Sequence, residues 1–194
     1  MPDGTNNLDV FPLTAQRWPD LEGLFGPRGA VGGCWCMYWR LQHAEFQQLK
    51  GPGNRALLHD LAQSETAPGL LAYLQDQVVG WCSLGPRAAF PRLARSRILA
   101  PVDDQPVWSI VCFYIHRQHR RQGVSLRLLQ GAVEFARQQG AEILEGYPVE
   151  PQADQMPSVF AYTGMASTFR QLGFQEVARR SATRPVMRLQ LRQD

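Results

Sequence analysis

A basic, glycine-containing turn between a strand and a helix is the part of the sequence best suited to chemistry. Residues 107–115, VWSIVCFYI, are mostly apolar, β-branched or aromatic, which predicts a strand buried on both faces. The chain then becomes basic, and from Val124 the apolar residues recur at helical spacing, so a helix begins next to Gly123. The N–H groups and the dipole at a helix N-terminus attract anions, and arginine adds bidentate contacts to phosphate. This pattern predicts an anion-binding turn at residues 120–125.

The turn lacks two common phosphate motifs, GxxxxGK(S/T) and GxGxxG. RRQGVS instead resembles the acyl-CoA signature of the GNAT family of N-acetyltransferases, R/Q-x-x-G-x-G/A. Arg120 matches its first position and Gly123 its central glycine, while Ser125 stands where glycine or alanine is usual. The alternative is an arginine-rich turn that only caps a helix and stays solvated. The resemblance implies that the chain binds acetyl-CoA as its acyl donor.

The resemblance also implies roles for individual residues near the turn. In that family the amides of the turn bind the CoA pyrophosphate, and backbone groups of the preceding strand bind the pantetheine arm. Amides of that strand often polarise the thioester carbonyl, and Ile115 is the match by position. The pantetheine contacts would come from Phe113, Tyr114 and Ile115. The pyrophosphate cradle would consist of Arg120, Arg121, Gln122, Gly123, Val124 and Ser125.

A second motif and the order of elements extend the resemblance. FRQLGF is similar to the family's YxxxGF, with Phe169 at the aromatic position and Gly173 near the end. The resemblance implies an α/β (α+β) fold of the GNAT type, with a mixed, mostly antiparallel central sheet of about seven strands flanked by helices. Its fourth and fifth strands, residues 107–115 and 142–147, would run parallel and splay apart. Segments such as CWCMYW and EGYPVE are also similar to a bacterial subgroup of the family whose substrates are generally unassigned.

Local patterns predict the remaining elements. Apolar residues at strand and helix spacing, separated by glycine and proline, predict a single domain that contains both strands and helices. A hairpin with its turn at Asp76 and Gln77 supplies the second and third strands. The predicted segments are a first strand at 8–16, helices at 17–25, 36–51, 52–65 and 124–139, the hairpin at 69–87, and a last strand at 184–192.

Length and composition predict one domain spanning residues 1–194, with flexible ends at 1–7 and 193–194. The net charge of +3 is too small to require a nucleic-acid partner. The sequence has no apolar stretch of 18 residues and no charged-then-apolar leader, so we expect no membrane partner and a cytoplasmic location. Whether the chain forms a homodimer stays open.

Acyl transfer to an amine needs a neutral amine, a donor for the developing oxyanion and a proton for the departing thiolate. The family's usual tyrosine acid falls at Phe169, and its carboxylate on the fourth strand falls at Ser109, so neither group is in its usual place. We predict Tyr162 as the replacement acid, with Tyr147 as a second candidate. Each tyrosine could equally be a packing residue with its hydroxyl in water.

Glu145, near the end of the predicted fifth strand, is the first candidate for the general base. A carboxylate in an otherwise apolar strand is expected to have a raised pKa, which suits proton abstraction near neutral pH. The alternatives are a solvent-facing strand end and a buried ion pair with an arginine. Glu150 is the reserve candidate.

Three aromatic residues beside a glycine-rich link, Trp35, Tyr38 and Trp39, are predicted to bind the acceptor, although three aromatics near a helix start could also be core. The neighbouring pair Cys34 and Cys36 could begin a metal site, but no second cysteine pair follows at ligand spacing, so we predict no metal.

The predicted function is that of an N-acetyltransferase, an acyltransferase that moves an acetyl group from acetyl-CoA to a primary amine of a small molecule or protein. A catalytically weak acyl-CoA-binding sensor is the main alternative, because Phe169 and Ser109 remove expected catalytic groups. A nucleic-acid-binding module is less favoured, because the arginine cluster is confined to one turn.

Overall fold

The computed structural model describes residues 8–151 and 161–191, so the predicted flexible ends at 1–7 and 193–194 lie outside the described residues. A seven-stranded sheet with helices on both faces forms the framework. Its strands are β1 (Leu8–Pro12), β2 (Gly69–Leu74), β3 (Gln77–Pro86), β4 (Trp108–Ile115), β5 (Ile143–Gly146), β6 (Gln175–Arg179) and β7 (Pro185–Gln190). The helices are α1 (Trp18–Phe25), α2 (His43–Gln48), α3 (Pro52–Ala62), α4 (Pro91–Ala94), α5 (Val124–Gln138) and α6 (Ala166–Gln171).

The strands lie in the order β1-β2-β3-β4-β5-β7-β6, and β4 with β5 is the parallel pair. The other neighbouring strands run antiparallel. Helix α5 connects β4 to β5, which is the crossover that a parallel pair requires. The predicted mixed sheet with a parallel fourth and fifth strand is confirmed.

β4 and β5 pair over only three residues each, from Trp108 opposite Leu144 to Ile110 opposite Gly146. Within β4 the register against β3 shifts, because Ser83 pairs with Cys112 whereas the next residue of β3 pairs with Ile110. The extra residue is a β-bulge, which bends the strand. The bulge lies next to the point where β5 stops pairing with β4. A gap therefore opens beside residues 112–115 of β4.

Two hydrophobic layers cover the sheet. Helix α5 packs on one face through residues such as Leu128 and Leu129, and α1, α3 and the turns at 34–41 cover the other face. A Cβ at Gly80 of β3 would lie 2.8 Å from Cγ1 of Val124. Only glycine at this position lets the first turn of α5 approach the sheet so closely. The start of α5 is thereby fixed beside the end of β4.

Some predicted boundaries were wrong. The predicted helix at 36–51 is reduced to α2, because residues 34–41 form turns in which Trp35 and Cys36 have φ angles of 45° and 52°. This left-handed backbone cannot continue a helix. The hairpin turns at Gln75 and Asp76, one residue earlier than predicted. Among the described residues, none of the helices has the length and apolar character needed to cross a membrane.

Candidate active site

The turn between β4 and α5 exposes backbone to solvent. Gly123, the residue before α5, has a left-handed φ of 79°, and Arg121 has a φ of 60°. A Cβ at Gly123 would meet no atom within 4 Å, so this side of the backbone is open to a ligand. The N–H groups at the start of α5 have no intrahelical partners, and the N-cap residue is a glycine, which has no side chain to cap them. An anion can therefore approach this helix end directly.

A cleft of about 250 Å³ runs from this turn along β4. Arg120 and Ser125 line its turn end, and Phe113, Tyr114 and Ile115 line its strand end. The Nε atom of Arg120 donates to the Ile115 carbonyl at 3.2 Å, which ties the turn to the strand. The structure thus brings five of the nine residues predicted to bind the cofactor into one cleft.

The other four predicted cofactor residues do not line the cleft with their side chains. Arg121 and Gln122 are exposed, and the Gln122 amide donates to the Gln118 carbonyl. The Val124 side chain is buried under α5, so only its backbone could face an anion. For Gly123 and Val124 the cofactor role stays a prediction about main-chain groups.

The main chain of β4 points two N–H groups into the gap. His116 N–H donates to the Val79 carbonyl of β3, so by strand alternation the N–H groups of Phe113 and Ile115 point away from β3. The Phe113 N–H donates to the Tyr162 carbonyl, with N and O 2.5 Å apart. A pantetheine arm in this gap would have to replace that carbonyl to bind the Phe113 amide.

A second cavity, of about 470 Å³, adjoins the cleft on the side of α2. We call it the acceptor pocket because two of the residues predicted to bind the acceptor line it. Val31, Phe113, Tyr114 and Tyr162 line both cavities, so the two meet at these residues. The remaining lining residues are mostly apolar or aromatic: Ala30, Gly32, Cys34, Cys36, Tyr38, Trp39, Phe46, Lys50 and Cys112.

Of the predicted acceptor-binding aromatics, Tyr38 and Trp39 lie in the wall of the pocket and Trp35 does not. Trp35 is 5% exposed and packs against Trp18 and Phe25, with ring centroids 5.9 and 5.6 Å apart. The left-handed backbone at Trp35 and Cys36 turns the indole into the core. The predicted acceptor-binding role of Trp35 is therefore corrected, because Trp35 is a core residue.

Tyr162 stands where the cleft and the acceptor pocket meet. Burial raises the pKa of its phenol to about 12, a shift only partly opposed by the nearby Arg184 guanidinium. The Tyr162 phenol is therefore protonated at neutral pH, as an unperturbed tyrosine also is.

A family model described as the acetyltransferase (GNAT) family matches residues 35–163. The chain belongs to the GNAT acetyltransferase family. A search of curated proteins found no match.

Solved structures of acetyltransferases share the fold at low sequence identity. PaiA N-acetyltransferase from Thermoplasma acidophilum, in complex with coenzyme A, is 11% identical with a TM-score of 0.53, over 95% of this chain and 99% of that one. YncA, a putative acetyltransferase from Salmonella typhimurium with acetyl-CoA, is 15% identical with a TM-score of 0.51, over 97% and 96%. A GNAT acetyltransferase from Streptococcus pneumoniae is 13% identical with a TM-score of 0.53, over 95% and 99%.

Phe169, at the position of the usual GNAT tyrosine, is fully buried. A Cβ at Gly146, the last residue of β5, would lie 2.1 Å from Cε1 of Phe169, so the ring covers the end of β5. The ring also packs edge-on against Phe174 at 4.9 Å. Phe169 is thus part of the core beside the gap, and Tyr114 and Tyr162 are the phenols that line both cavities.

Glu145 is fully buried in a network of hydrogen bonds and ion pairs. Its Oε1 accepts from Arg87 Nη1 at 2.5 Å and from the Tyr147 hydroxyl at 2.6 Å. Its Oε2 accepts from Arg188 Nε at 2.7 Å, and Arg188 also binds Asp103. Glu145 lines neither cavity. This geometry fits the buried ion pair, and we correct the interpretation of Glu145 as a general base.

Tyr147, the second candidate for the acid, belongs to the same network. Its hydroxyl lies 2.8 Å from Ser109 Oγ, and burial raises the pKa of Tyr147 well above its usual value, as does the neighbouring charge of Glu145. Glu150, the reserve base, pairs with Arg170 and Arg179, which hold the pKa of Glu150 below its usual range. Neither residue lines the cavities.

Some pocket residues were missed by the sequence reasoning. Cys112 lies in an apolar strand pattern, which is typical of a buried thiol, but strand alternation places it with Tyr114 on the face that borders the pocket. Lys50, the only lysine of the chain, lies beside the turn that contains Gly32. Its Cε atom is 3.9 Å from the position that a Cβ at Gly32 would occupy. In the part of the chain that the structure describes, no group of three His, Cys, Asp or Glu residues is arranged to hold a metal ion.

Proposed function

We propose that this GNAT protein transfers the acetyl group of acetyl-CoA to a primary amine of a small molecule or a protein. The observation that carries the proposal is the meeting of two cavities at Phe113 and Tyr162. One cavity starts at an exposed helix N-terminus beside Arg120, and the other is a separate, largely apolar pocket. Donor and acceptor can thus be held next to each other along the same strand.

The residues of the cleft fit the donor. The open backbone at Gly123 and the amides that begin α5 suit a pyrophosphate, and Arg120 adds positive charge. The Ile115 N–H, which points into the gap, suits an acceptor atom of the pantetheine arm. Bound acetyl-CoA supplies the activated thioester. In place of the Ile115 amide expected from the sequence, the Phe113 N–H is proposed to polarise a carbonyl in the gap once the Tyr162 carbonyl has moved away.

Tyr162 is proposed as the proton donor to the departing thiolate. Its phenol is protonated at neutral pH and it borders both donor and acceptor. For deprotonation of the amine, no aspartate, glutamate or histidine among the described residues lines the acceptor pocket. We propose that the amine loses its proton to water, so kcat/KM should rise with pH up to the pKa of the free amine.

The acceptor pocket favours an amine carried on an apolar or aromatic body. Lys50 is the one charged side chain among the described lining residues, and it disfavours a second positive charge on the acceptor. One face of Tyr38 is already covered by Arg92, whose guanidinium carbon lies 3.8 Å from the ring centroid. The buried indole N–H of Trp39 has no hydrogen-bond partner among the described residues, which suits an acceptor that carries an oxygen.

The test is a screen of amines with acetyl-CoA, read out by mass spectrometry of the acetylated amine. Amines that carry an uncharged aromatic group and no second cationic group should be acetylated in preference to polyamines. Tyr162→Phe should lower kcat by about 10²-fold with unchanged acetyl-CoA affinity. Tyr38→Phe is the matched comparison, because it removes a phenol that borders only the acceptor pocket: it can change KM for the amine, but it should not lower kcat. Equal kcat values for both variants would contradict the role of Tyr162.

A second candidate, an acyl-CoA-binding sensor, is favoured by the occupied Phe113 amide and by the phenylalanine at position 169. The same screen separates the two candidates. Saturable acetyl-CoA binding with no acetylated product from any amine would favour the sensor.

A further inference from the structure

Three of the four cysteines line the acceptor pocket: Cys34, Cys36 and Cys112. All four are free thiols. The Sγ atoms of Cys36 and Cys112 lie 3.4 Å apart, although the two residues are 76 positions apart in sequence. Cys36 also accepts a hydrogen bond from the Trp81 indole at 3.0 Å. The contact joins the turns that form one wall of the pocket to the strand that forms the other.

The two sulfur atoms are close enough to bond after a small movement. A disulfide needs a sulfur separation of about 2.05 Å, so the sulfurs must approach by roughly 1.3 Å. Cys36 lies in a turn outside any helix or strand, and its own φ is left-handed at 52°. Neither a ladder of strand hydrogen bonds nor a helix therefore opposes a shift of Cys36 toward Cys112.

We propose that Cys36 and Cys112 are a redox-reactive thiol pair that a peroxide closes to a disulfide across the acceptor pocket. The reaction consumes one hydrogen peroxide and two thiols and releases two molecules of water. Two electrons pass from the thiols to the peroxide, whose O–O bond breaks.

Exposure assigns the order of the two steps. Cys112 is partly exposed at the pocket, whereas Cys36 is 5% exposed. Cys112 sulfur attacks the peroxide, forms a sulfenic acid and releases the first water. Cys36 then attacks that sulfur, the S–S bond forms, and the hydroxyl leaves with the thiol proton as the second water. The hydrogen bond to Cys112 and burial raise the pKa of Cys36, so Cys36 starts as a thiol and must lose its proton as it attacks.

The disulfide would act on the acceptor side of the site and not on the cofactor turn. Cys112 precedes Phe113, where the two cavities meet, while the turn at 120–125 lies on the far side of the cleft. Oxidation should therefore weaken acceptor use and leave acetyl-CoA affinity unchanged. This consequence rests on the proposed function, whereas formation of the bond does not.

The first test counts thiols by intact mass after denaturation and labelling with N-ethylmaleimide. The reduced protein should take up four labels and the peroxide-treated protein two, and dithiothreitol should restore four. Cys34 and Cys36 share the tryptic peptide 29–40, so variants must assign the bond. Cys34→Ser, the matched control from the same pocket, should still lose two thiols. Cys36→Ala and Cys112→Ala, checked for folding by circular dichroism, should not form the bond.

Four labels after peroxide treatment would overturn the proposal. So would a bond that persists in Cys36→Ala, because Cys34 would then be the partner of Cys112. The second test compares reduced and oxidised protein for acceptor KM and for acetyl-CoA binding by calorimetry. A rise of several-fold in acceptor KM with unchanged acetyl-CoA affinity is expected. An unchanged KM in fully oxidised protein would refute the effect on the pocket while leaving the thiol pair established.

Discussion

Replacing Glu145 by glutamine separates a structural role from a catalytic one. Both carboxylate oxygens accept hydrogen bonds, from Arg87 and Tyr147 on one side and from Arg188 on the other. A glutamine keeps one oxygen, but its NH₂ group must face an arginine donor. The side chains of Arg87 and Arg188 are only 15% and 6% exposed, so water cannot fully replace the lost charge.

The expected loss of unfolding free energy follows from this geometry. Removing one partner of a buried ion pair costs about 3–5 kcal/mol. Arg188 keeps its bonds to Asp103, which places Glu145→Gln near the lower end of that range. For a domain of this size each kcal/mol lowers Tm by roughly 2–4 °C, so a decrease of about 6–12 °C is expected.

The assay is urea and thermal unfolding followed by tryptophan fluorescence, together with kcat measured at a temperature where both proteins are folded. Glu150→Gln is the control, because Glu150 forms partly exposed ion pairs with Arg170 and Arg179. Such pairs contribute about 0–1 kcal/mol, so its Tm should hardly change. Glu145→Gln should retain most of its kcat. An unchanged Tm with a large loss of kcat and an altered pH profile would refute the structural role and restore Glu145 as the base.

Three further predictions concern the turn, the pocket and the response to acid. Gly123→Ala and Gly140→Ala each put a side chain at a left-handed φ, of 79° and 76°, so both variants should lose a similar amount of unfolding free energy. Calorimetry should show weaker acetyl-CoA binding only for Gly123→Ala. Lys50→Glu should raise kcat/KM for dicationic acceptors relative to monocationic ones by a few-fold at low salt, and steady-state kinetics in high salt should show that the difference disappears. Arg188 depresses the pKa of Asp103, so the stabilisation from that carboxylate is present above the unfolded-state pKa of about 4 and is lost as pH falls through the folded-state pKa. Urea unfolding between neutral and acidic pH should show this loss of unfolding free energy. The loss should be smaller in Asp103→Asn.

Most of the fold could be predicted from local sequence because its strands and helices carry strong periodic patterns. The run of apolar residues at β4 and the spacing of α5 identified the central crossover, and the parallel pair was confirmed. The wrong helix at 36–51 shows the limit of this reasoning. Its residues have apolar spacing, but two left-handed residues and the packing of Trp35 under the sheet form turns instead.

The cofactor half of the candidate site was also accessible from sequence, because it is contiguous. Phe113, Tyr114, Ile115, Arg120 and Ser125 fall within thirteen residues, and all five line one cleft. The acceptor half is assembled from three distant segments, residues 30–50, 112–114 and 162. Local spacing could not show which aromatic residue of the first segment faces the pocket, because that depends on the turn geometry.

The sequence by itself determined the order of elements, the family resemblance and the stretch proposed to bind the donor, because each depends on neighbours within one strand, turn or helix. Only the tertiary structure decided what Glu145 and the cysteines do. Arg87 and Arg188 lie 58 and 43 residues from Glu145, and Cys112 lies 76 residues from Cys36. Charges and thiols so far apart in sequence interact only when the tertiary fold brings their segments together, and these contacts place Glu145, a candidate base, in a buried ion pair.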